Sequence, residues 1–439
     1  MNIDDKIKGM IMGLAIGDAL GAPVECLSRN DIHKKYRKVT DYIEMPEKFN
    51  PDTRFSEGDY RIKGSYTDDT QLALALLESL IENKGFCPEK YARKLVELYP
   101  YMRGPGKSVR LAIHSLKEGA TWDNSGRQDG FGNGAAIRIA PLGAYYRNNY
   151  PALKNKAVES AKITHTHPDV IASAVALAFS AAYAVNHEGF DPKDYLNEVS
   201  SFAEEISPAF SACLNTLPEL LTIPTTEALE RIGTKSAYNQ SIPAAIYLFS
   251  KHHNDPASAV IHAINAGGDT DSVGAMTYAL VSGCKGYKSI PEKWLSGLRN
   301  RKDIEERAVA LTRGDPHFSR SLYEMEKELT LEERAARKKI RKQHKKYLRI
   351  KKREDKINEA KKATYWLVSQ IPSEDKPCYF DINSFADAMI RAYIAREIPE
   401  RYFSEFLDKV KQTSPQDLKE QSLGRLPGAD LRGLPASLP

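Results

Sequence analysis

The stretch GSYTDDTQLALALLESL, Gly64–Leu80, decides how this chain is read. From Leu72 onward it is apolar around most of a helical circumference, the pattern of a helix buried on all sides. Just ahead of that run stand Thr67, Asp68, Asp69 and Thr70. Thr and Asp are favoured helix N-caps, and acids suit the positive end of a helix dipole, so capping accounts for one or two of these residues. A second stretch, NAGGDTDSVGAMTYALVSG, Asn265–Gly283, repeats the arrangement with Asp269, Thr270, Asp271 and Ser272 ahead of another apolar helix. Capping does not account for four aspartates and their flanking hydroxyls at the ends of two buried helices. Uncompensated carboxylates there are costly, and a divalent cation is the natural compensation if the clusters converge. All the donors are oxygens, which suits hard cations such as Mg²⁺ or Mn²⁺ and suits zinc or copper poorly. On the residues alone, capping and metal binding both stay open.

Working outward, helical periodicity runs through Ile7–Ile16, Tyr91–Leu98, Val109–Leu116, Ala135–Tyr146 and Val170–Val185. Alternating β-branched runs are nearly absent. The expectation is an all-α domain of about a dozen helices over residues 1–312. The apolar run Val170–Val185 falls short of the ~20 residues that span a bilayer, so a buried helix is expected and no membrane partner.

The chain has 439 residues, 41% apolar and 28% charged, a soluble globular composition. Five cysteines, widely spread and with no CxxC, argue against a disulfide framework or structural zinc and for a reducing, cytoplasmic setting. The net charge of +5 hides an asymmetry. Arg334–Arg353 carries twelve Lys or Arg and no acid, so the remainder of the chain is at −7. Thr330 and Glu333 have capping-box spacing, and Leu331 to about Lys362 reads as one long basic helix of roughly 45–50 Å. The expected organisation is a domain over 1–312, a linker and basic helix over 313–362, a small helical module over 363–413 and a disordered tail over 414–439. The basic helix suits a solvated spacer, a salt-sensitive nucleic-acid contact or an acidic partner.

Smaller features surround the two clusters. Gly17–Gly21 followed by Ala22-Pro-Val-Glu25 reads as a helix ending in a glycine-containing loop that carries a carboxylate. Phe131-Gly132-Asn133-Gly134-Ala135-Ala136 reads as a Gly-rich helix entry, suited to bringing backbone N–H groups to a phosphate. As a plain tight turn it is equally well explained. His165 and His167 precede the Val170 helix, where solvated or capping roles compete with ligand roles.

In this order the pieces resemble the ADP-ribosylglycohydrolase family. The residues that carry the resemblance are GLAIGDALGAPVE (Gly13–Glu25), the TDDT and GGDTDS stretches, GNGAAIRIAPLGAYY (Gly132–Tyr146) and THTHPDVIASAVALA (Thr164–Ala178). It covers about residues 3–312 and implies the all-α fold. It also implies two Mg²⁺ or Mn²⁺ ions, with Thr67, Asp68 and Asp69 on one side and Asp269, Asp271 and Ser272 on the other. Glu25 matches a loop-borne acid/base or gate, with Asp68 and Asp269 as the other carboxylates for that role. Asp18 is expected to order the loop. Gly132, Gly134 and Asn133, within the segment Gly130–Gly134, would hold a diphosphate and ribose. Phe131 would stack on adenine, His165 would face the phosphates, and His167 has a weaker claim. Arg103 and its neighbours in Tyr101–Ser108 would shape the acceptor side. The implied activity is metal-dependent removal of ADP-ribose from ADP-ribosylated proteins. Three alternatives stand beside it: a non-catalytic structural relative, a hydrolase of ADP-ribosylated nucleic acid or small conjugates recruited by the basic extension, and a dinuclear-metal phosphohydrolase.

Overall fold

The computed structural model describes residues 2–44, 61–369, 380–395 and 399–412. It is 72% helical, with no strands among the described residues. The all-α expectation holds, with more helices than a dozen before residue 313, several of them of four to seven residues and opened by proline. Two compact units divide the chain, residues 1–339 and 340–439.

At the centre of the first unit two helices, Ile3–Gly21 and Thr270–Lys285, run antiparallel with their backbones in contact. The cause is a glycine every fourth residue, at Gly9, Gly13, Gly17 and Gly21, which forms one stripe along a helix. A Cβ on Gly9 would lie 2.4 Å from the Ser282 carbonyl oxygen, one on Gly13 2.5 Å from that of Tyr278, one on Gly17 2.2 Å from that of Gly274 and one on Gly21 2.2 Å from that of Thr270. The partner positions also recur every fourth residue, so the two helices lie in register along the whole seam. The Thr270 hydroxyl donates to the Gly21 carbonyl at 2.9 Å and locks the seam at its end.

The GDALG segment is therefore helix to Gly21, not loop; only Ala22–Val24, a 3₁₀ turn, separates it from Glu25. Asp18 sits inside that helix, fully buried. It accepts from the Thr67 and Thr70 backbone N–H groups at 2.9 and 3.0 Å and from the Thr70 hydroxyl at 2.6 Å. It thus ties down the start of the Asp68–Glu82 helix rather than the loop after its own helix.

Two helices, Ile3–Gly21 with its 3₁₀ extension and Pro168–Asn186, are long and apolar enough to cross a membrane, so the Val170 run does not fall short on length. Both have 89% of their apolar window buried inside the protein, as expected of core helices. The expected helix Ala135–Tyr146 is a turn up to Arg138, followed by a short helix, Ala140–Tyr145. Pro141 has no N–H to continue a ladder and fits only the first turn of the new helix.

The basic helix starts earlier than the sequence suggested. It runs Leu322–Ser369, and its first turns, to Lys339, belong to the first unit. The reason lies in buried side chains on those turns: Met325, Glu326, Leu329, Thr330 and Glu333. Not all its cations face solvent. Arg334 donates to the Pro100 carbonyl, Arg337 pairs with Glu333, and Arg353 donates to the carbonyls of Tyr393 and Ile394. In the second unit the helices Phe380–Ala395 and Glu400–Gln412 form a small apolar core in which Tyr393 and Phe403 stack at 4.0 Å. The tail expected to be disordered lies outside the described residues, as does Cys378. The four described cysteines are free thiols.

Gly17→Ala should destabilise the protein by about 3 kcal/mol despite alanine's better helix propensity, since the new methyl meets backbone that cannot yield. Denaturant unfolding of Gly17→Ala beside a surface Gly→Ala control checks it.

Candidate active site

The seam positions both acidic clusters. Gly21 meets Thr270, so the chain leaving the first helix delivers Glu25 beside the start of the second. Gly267 and Gly268, at φ +81° and +79°, turn the chain back along Cys26–Ser28. There Cys26 N–H donates to the Gly268 carbonyl at 2.7 Å and Gly268 N–H to the Leu27 carbonyl at 3.0 Å. A side chain at Gly268 would strike the Thr234 carbonyl oxygen at 2.5 Å. Asp269 follows immediately. As a result Glu25, Asp269 and Asp271 bring carboxylate oxygens within 4.8 Å of one another.

The other cluster joins them through Ser272, whose hydroxyl donates to Asp69 at 2.8 Å. The Thr67 hydroxyl accepts from Asp69 N–H at 3.2 Å and caps its helix. Asn133 donates to Asp269 at 2.7 Å and to the Ser241 hydroxyl at 3.2 Å. All of these, except Ser241, line one cleft of about 510 Å³ that also holds Gly130, Phe131, Gly132, Gly134 and His165. The sequence-derived set is therefore brought together in one place.

The electrostatics are strongly one-sided. Asp68, Asp69, Asp269 and Asp271 are all buried. Burial first, then Asp68, Asp18 and Asp269, holds the Asp69 carboxyl well above the carboxylate range. Asp271 is raised likewise, by burial and then by Glu25, Asp269 and Asp69. Asp68 is pushed up to about 7 by burial and Asp18, against a pull downward from Arg61. Four buried carboxylates facing each other are stable as anions only beside compensating positive charge. The two buried arginines nearby, Arg61 and Arg103, are engaged elsewhere.

Their partners were not visible from the clusters alone. Glu326 on the long C-terminal helix pairs with Arg103 at 2.6 Å and accepts from the Tyr66 hydroxyl and the Gln71 amide, each at 2.6 Å. Glu333, two turns on, pairs with Arg61 at 3.3 Å and accepts from the Ser65 hydroxyl at 3.1 Å. These contacts fall on both sides of Thr67–Asp69 and fix that loop. Arg103 is turned into this network and does not line the cleft; Gly104, Gly106, Lys107 and Ser108 of the same segment do. The signal was the TLEE segment, in which Glu333 reads as a solvent-facing capping residue.

At the other end of the cleft, Gly132–Ala136 is a tight turn closed by Ala136 N–H to the Asn133 carbonyl at 2.8 Å, not a helix N-terminus. Arg138 is wholly buried behind it. It donates to the Gly134 carbonyl at 2.8 Å, the Ser160 carbonyl at 2.7 Å and the Thr164 hydroxyl at 2.9 Å. The Thr164 hydroxyl lies 2.8 Å from His165 Nδ1. Because that oxygen already accepts from Arg138, we assign its proton to Nδ1, which leaves Nε2 of a neutral ring as the N–H. Burial, then Arg138, pushes the His165 pKa down to about 3. His167 caps the Pro168–Asn186 helix, accepting from Asp169 N–H at 3.3 Å. It also lies edge-on to Phe131, with ring centroids 5.0 Å apart. Phe131 is 52% exposed, a large apolar ring at the rim.

Fold and site together define a buried-carboxylate hydrolase on an all-α scaffold. A family model, ADP-ribosylglycohydrolase, matches residues 1–321, and the chain belongs to that family. A protein of Archaeoglobus fulgidus is 34% identical over 313 residues, 70% of this chain and 96% of that one. The ADP-ribosylarginine hydrolase Tri1 of Serratia proteamaculans is 30% identical over 322 residues, 70% of this chain and 79% of its own. A solved structure titled ADP-ribosylglycohydrolase-related protein complex superposes with a TM-score of 0.54 at 27% identity, covering 71% of this chain and 98% of that one. The chain is an enzyme of the glycosidic-bond-hydrolysing class. The non-catalytic alternative falls with that.

Two predictions concern the buried groups. Glu326→Ala strands Arg103 and should lower stability by about 3 kcal/mol. Glu328→Ala, on an exposed pair with Arg320, should stay within about 0.5 kcal/mol of the parent. Parallel urea titrations compare them. For His165 the folded pKa lies below the unfolded value, so its stability contribution is complete above about pH 6.5 and is lost as pH falls toward 3. His165→Gln should therefore remove up to about 2 kcal/mol of the stability loss between pH 6.5 and 4.5, measured by unfolding at each pH.

Proposed function

We propose that the chain releases ADP-ribose from ADP-ribosylated proteins by hydrolysing the N- or O-glycosidic bond at the distal ribose C1. The observation that carries this is the cleft itself. One end gathers Glu25, Asp269 and Asp271 oxygens within 4.8 Å, and the other offers a glycine turn, a neutral imidazole N–H and an exposed aromatic ring. The first end suits hydroxyls and water; the second suits a diphosphate and a base.

The donor set fits hard divalent cations, because it is all oxygen, buried and short of positive charge. Thr67, Asp68 and Asp69 on one side, and Asp269, Asp271 and Ser272 on the other, would hold two Mg²⁺ or Mn²⁺ ions. Such ions supply Lewis-acid polarisation of bound hydroxyls and a water acidic enough to attack at neutral pH.

The chain's own residues do the rest. Asn133 holds one oxygen of the Asp269 carboxylate in place. Glu25, at the mouth, hands a proton to the leaving nitrogen or oxygen and takes one from the attacking water; Asp68 and Asp269 are the other carboxylates for that role. Backbone N–H groups of Gly130–Gly134 and the His165 Nε2–H donate to the diphosphate, and Phe131 stacks on adenine. A cytoplasmic setting stays an expectation from the spread of the cysteines along the sequence. For the Arg334–Arg353 stretch, docking of nucleic acid or an acidic partner remains an expectation from charge alone, since the family match stops at residue 321.

The test is release of free ADP-ribose from ADP-ribosylated arginine and serine substrates with Mg²⁺, with Mn²⁺ and with EDTA. Arginine comes first because the Serratia relative is named for it. Release should need the cation. Asp271→Asn should reduce it at least about a hundredfold, while its melting temperature in EDTA equals or exceeds the parent's, since a repelled buried carboxylate is gone. AMP as the product would establish the phosphohydrolase instead.

A further inference from the structure

Behind the Gly267–Gly268 wall of the active cleft lies a second and larger pocket, of about 640 Å³. Its floor is apolar, formed by Ile32, Leu229 and Ile261. Its uncharged polar side chains are already engaged. Asn265 exchanges hydrogen bonds with the Val39 backbone at 2.8 Å, Gln240 accepts from Lys235 N–H at 3.1 Å, and the Thr234 hydroxyl donates to the Gly267 carbonyl at 2.7 Å.

Three of its four Lys and Arg side chains are not engaged. Arg29 is paired with Glu230 at 2.9 Å. Among the described residues, Arg37, Lys38 and Lys235 have no side-chain hydrogen bond or ion pair, and all three are exposed on the pocket rim. Four cations against one carboxylate leave a surplus of three positive charges here. The chain outside Arg334–Arg353 carries −7, so this concentration runs against the sign of its surroundings. His262 on the pocket wall registers the field: burial first, and then Lys38, Lys251 and Arg29, lower its pKa.

An apolar floor under a cationic rim, in a volume of this size, selects a ligand that is flat or apolar at one end and anionic at the other. We propose that this pocket is a second ligand site, distinct from the acidic cleft, that binds a phosphate-bearing molecule of nucleotide size. Its base lies on Ile32, Leu229 and Ile261, and its phosphates meet Arg37, Lys38 and Lys235. The proposal does not depend on what the acidic cleft hydrolyses, because no pocket-lining cation is shared with that cleft.

Calorimetric titration of the full chain with ADP in EDTA tests it. The charge-reversed double variant Lys38→Glu/Lys235→Glu should weaken one ADP-binding event at least about tenfold. The milder Lys38→Gln/Lys235→Gln should weaken it less, and the same event should weaken further as salt rises from 50 to 200 mM. Both residues are exposed, so folding is expected to survive, and matching melting curves confirm it. Unchanged ADP affinity in the charge-reversed variant overturns the proposal. So does an affinity loss that Phe131→Ala reproduces, since that residue belongs to the acidic cleft.

Discussion

Everything in the catalytic unit depends on two helices touching backbone to backbone. With a methyl at any of Gly9, Gly13, Gly17 or Gly21, the Ile3–Gly21 and Thr270–Lys285 helices would have to separate, because the atoms met are main-chain atoms that cannot rotate away. The end of one helix would then no longer meet the start of the other. That meeting puts Glu25 beside Asp269 and Asp271, and Asp18, one turn back, holds the Asp68 helix in the same frame. Three segments far apart in sequence are thus located by one close contact.

The site built on this frame has a charge problem that its own residues do not solve. Around Thr67–Asp69, five buried aspartates and the two glutamates of the C-terminal helix face two buried arginines. Glu326 and Glu333 take those arginines up, so Arg103 and Arg61 brace the loop, and the pull of Arg61 on Asp68 does not offset its burial. The raised carboxyl groups of Asp68, Asp69 and Asp271 are the consequence. On the proposed function, cation binding would recover the energy that burial withholds.

The clusters were legible because aspartates before an all-round apolar helix break the rule that buried charge is avoided. The glycine seam was written just as openly, at a spacing of four, but a lone glycine stripe reads equally as a flexible or loop segment until its partner is known. Asp18 illustrates the same limit. The family resemblance picks it out as ordering the loop, while its bonding to Thr67 and Thr70, some fifty residues away, is a tertiary fact. For Gly132–Ala136 a tight turn and a helix entry explain the sequence equally well, and only the Ala136 N–H to Asn133 carbonyl bond decides for the turn. The C-terminal boundary was set too early because Glu326 and Glu333 look like ordinary surface acids in a charged helix; only the buried arginines opposite them make them interior.

The far end of the cleft completes the argument. Arg138 is a buried cation without a carboxylate partner among the described residues. It is held by two carbonyls and a hydroxyl, and its Nε has no hydrogen-bond partner. Burial lowers its pKa, with Tyr91 pulling the other way. A guanidinium stays charged even so, and its field is felt at His165. The cleft is therefore polarised along its length, with carboxylates at one end and an uncompensated cation behind the glycine turn at the other. A substrate with an anionic diphosphate and a neutral, hydroxyl-rich sugar has one favourable orientation in that field. On the proposed function the diphosphate would lie toward Gly134 and His165, and the sugar toward Asp269 and Asp271. For the proposed substrate, orientation would be set before any hydrogen bond is made, and Arg138 would set it without touching the ligand.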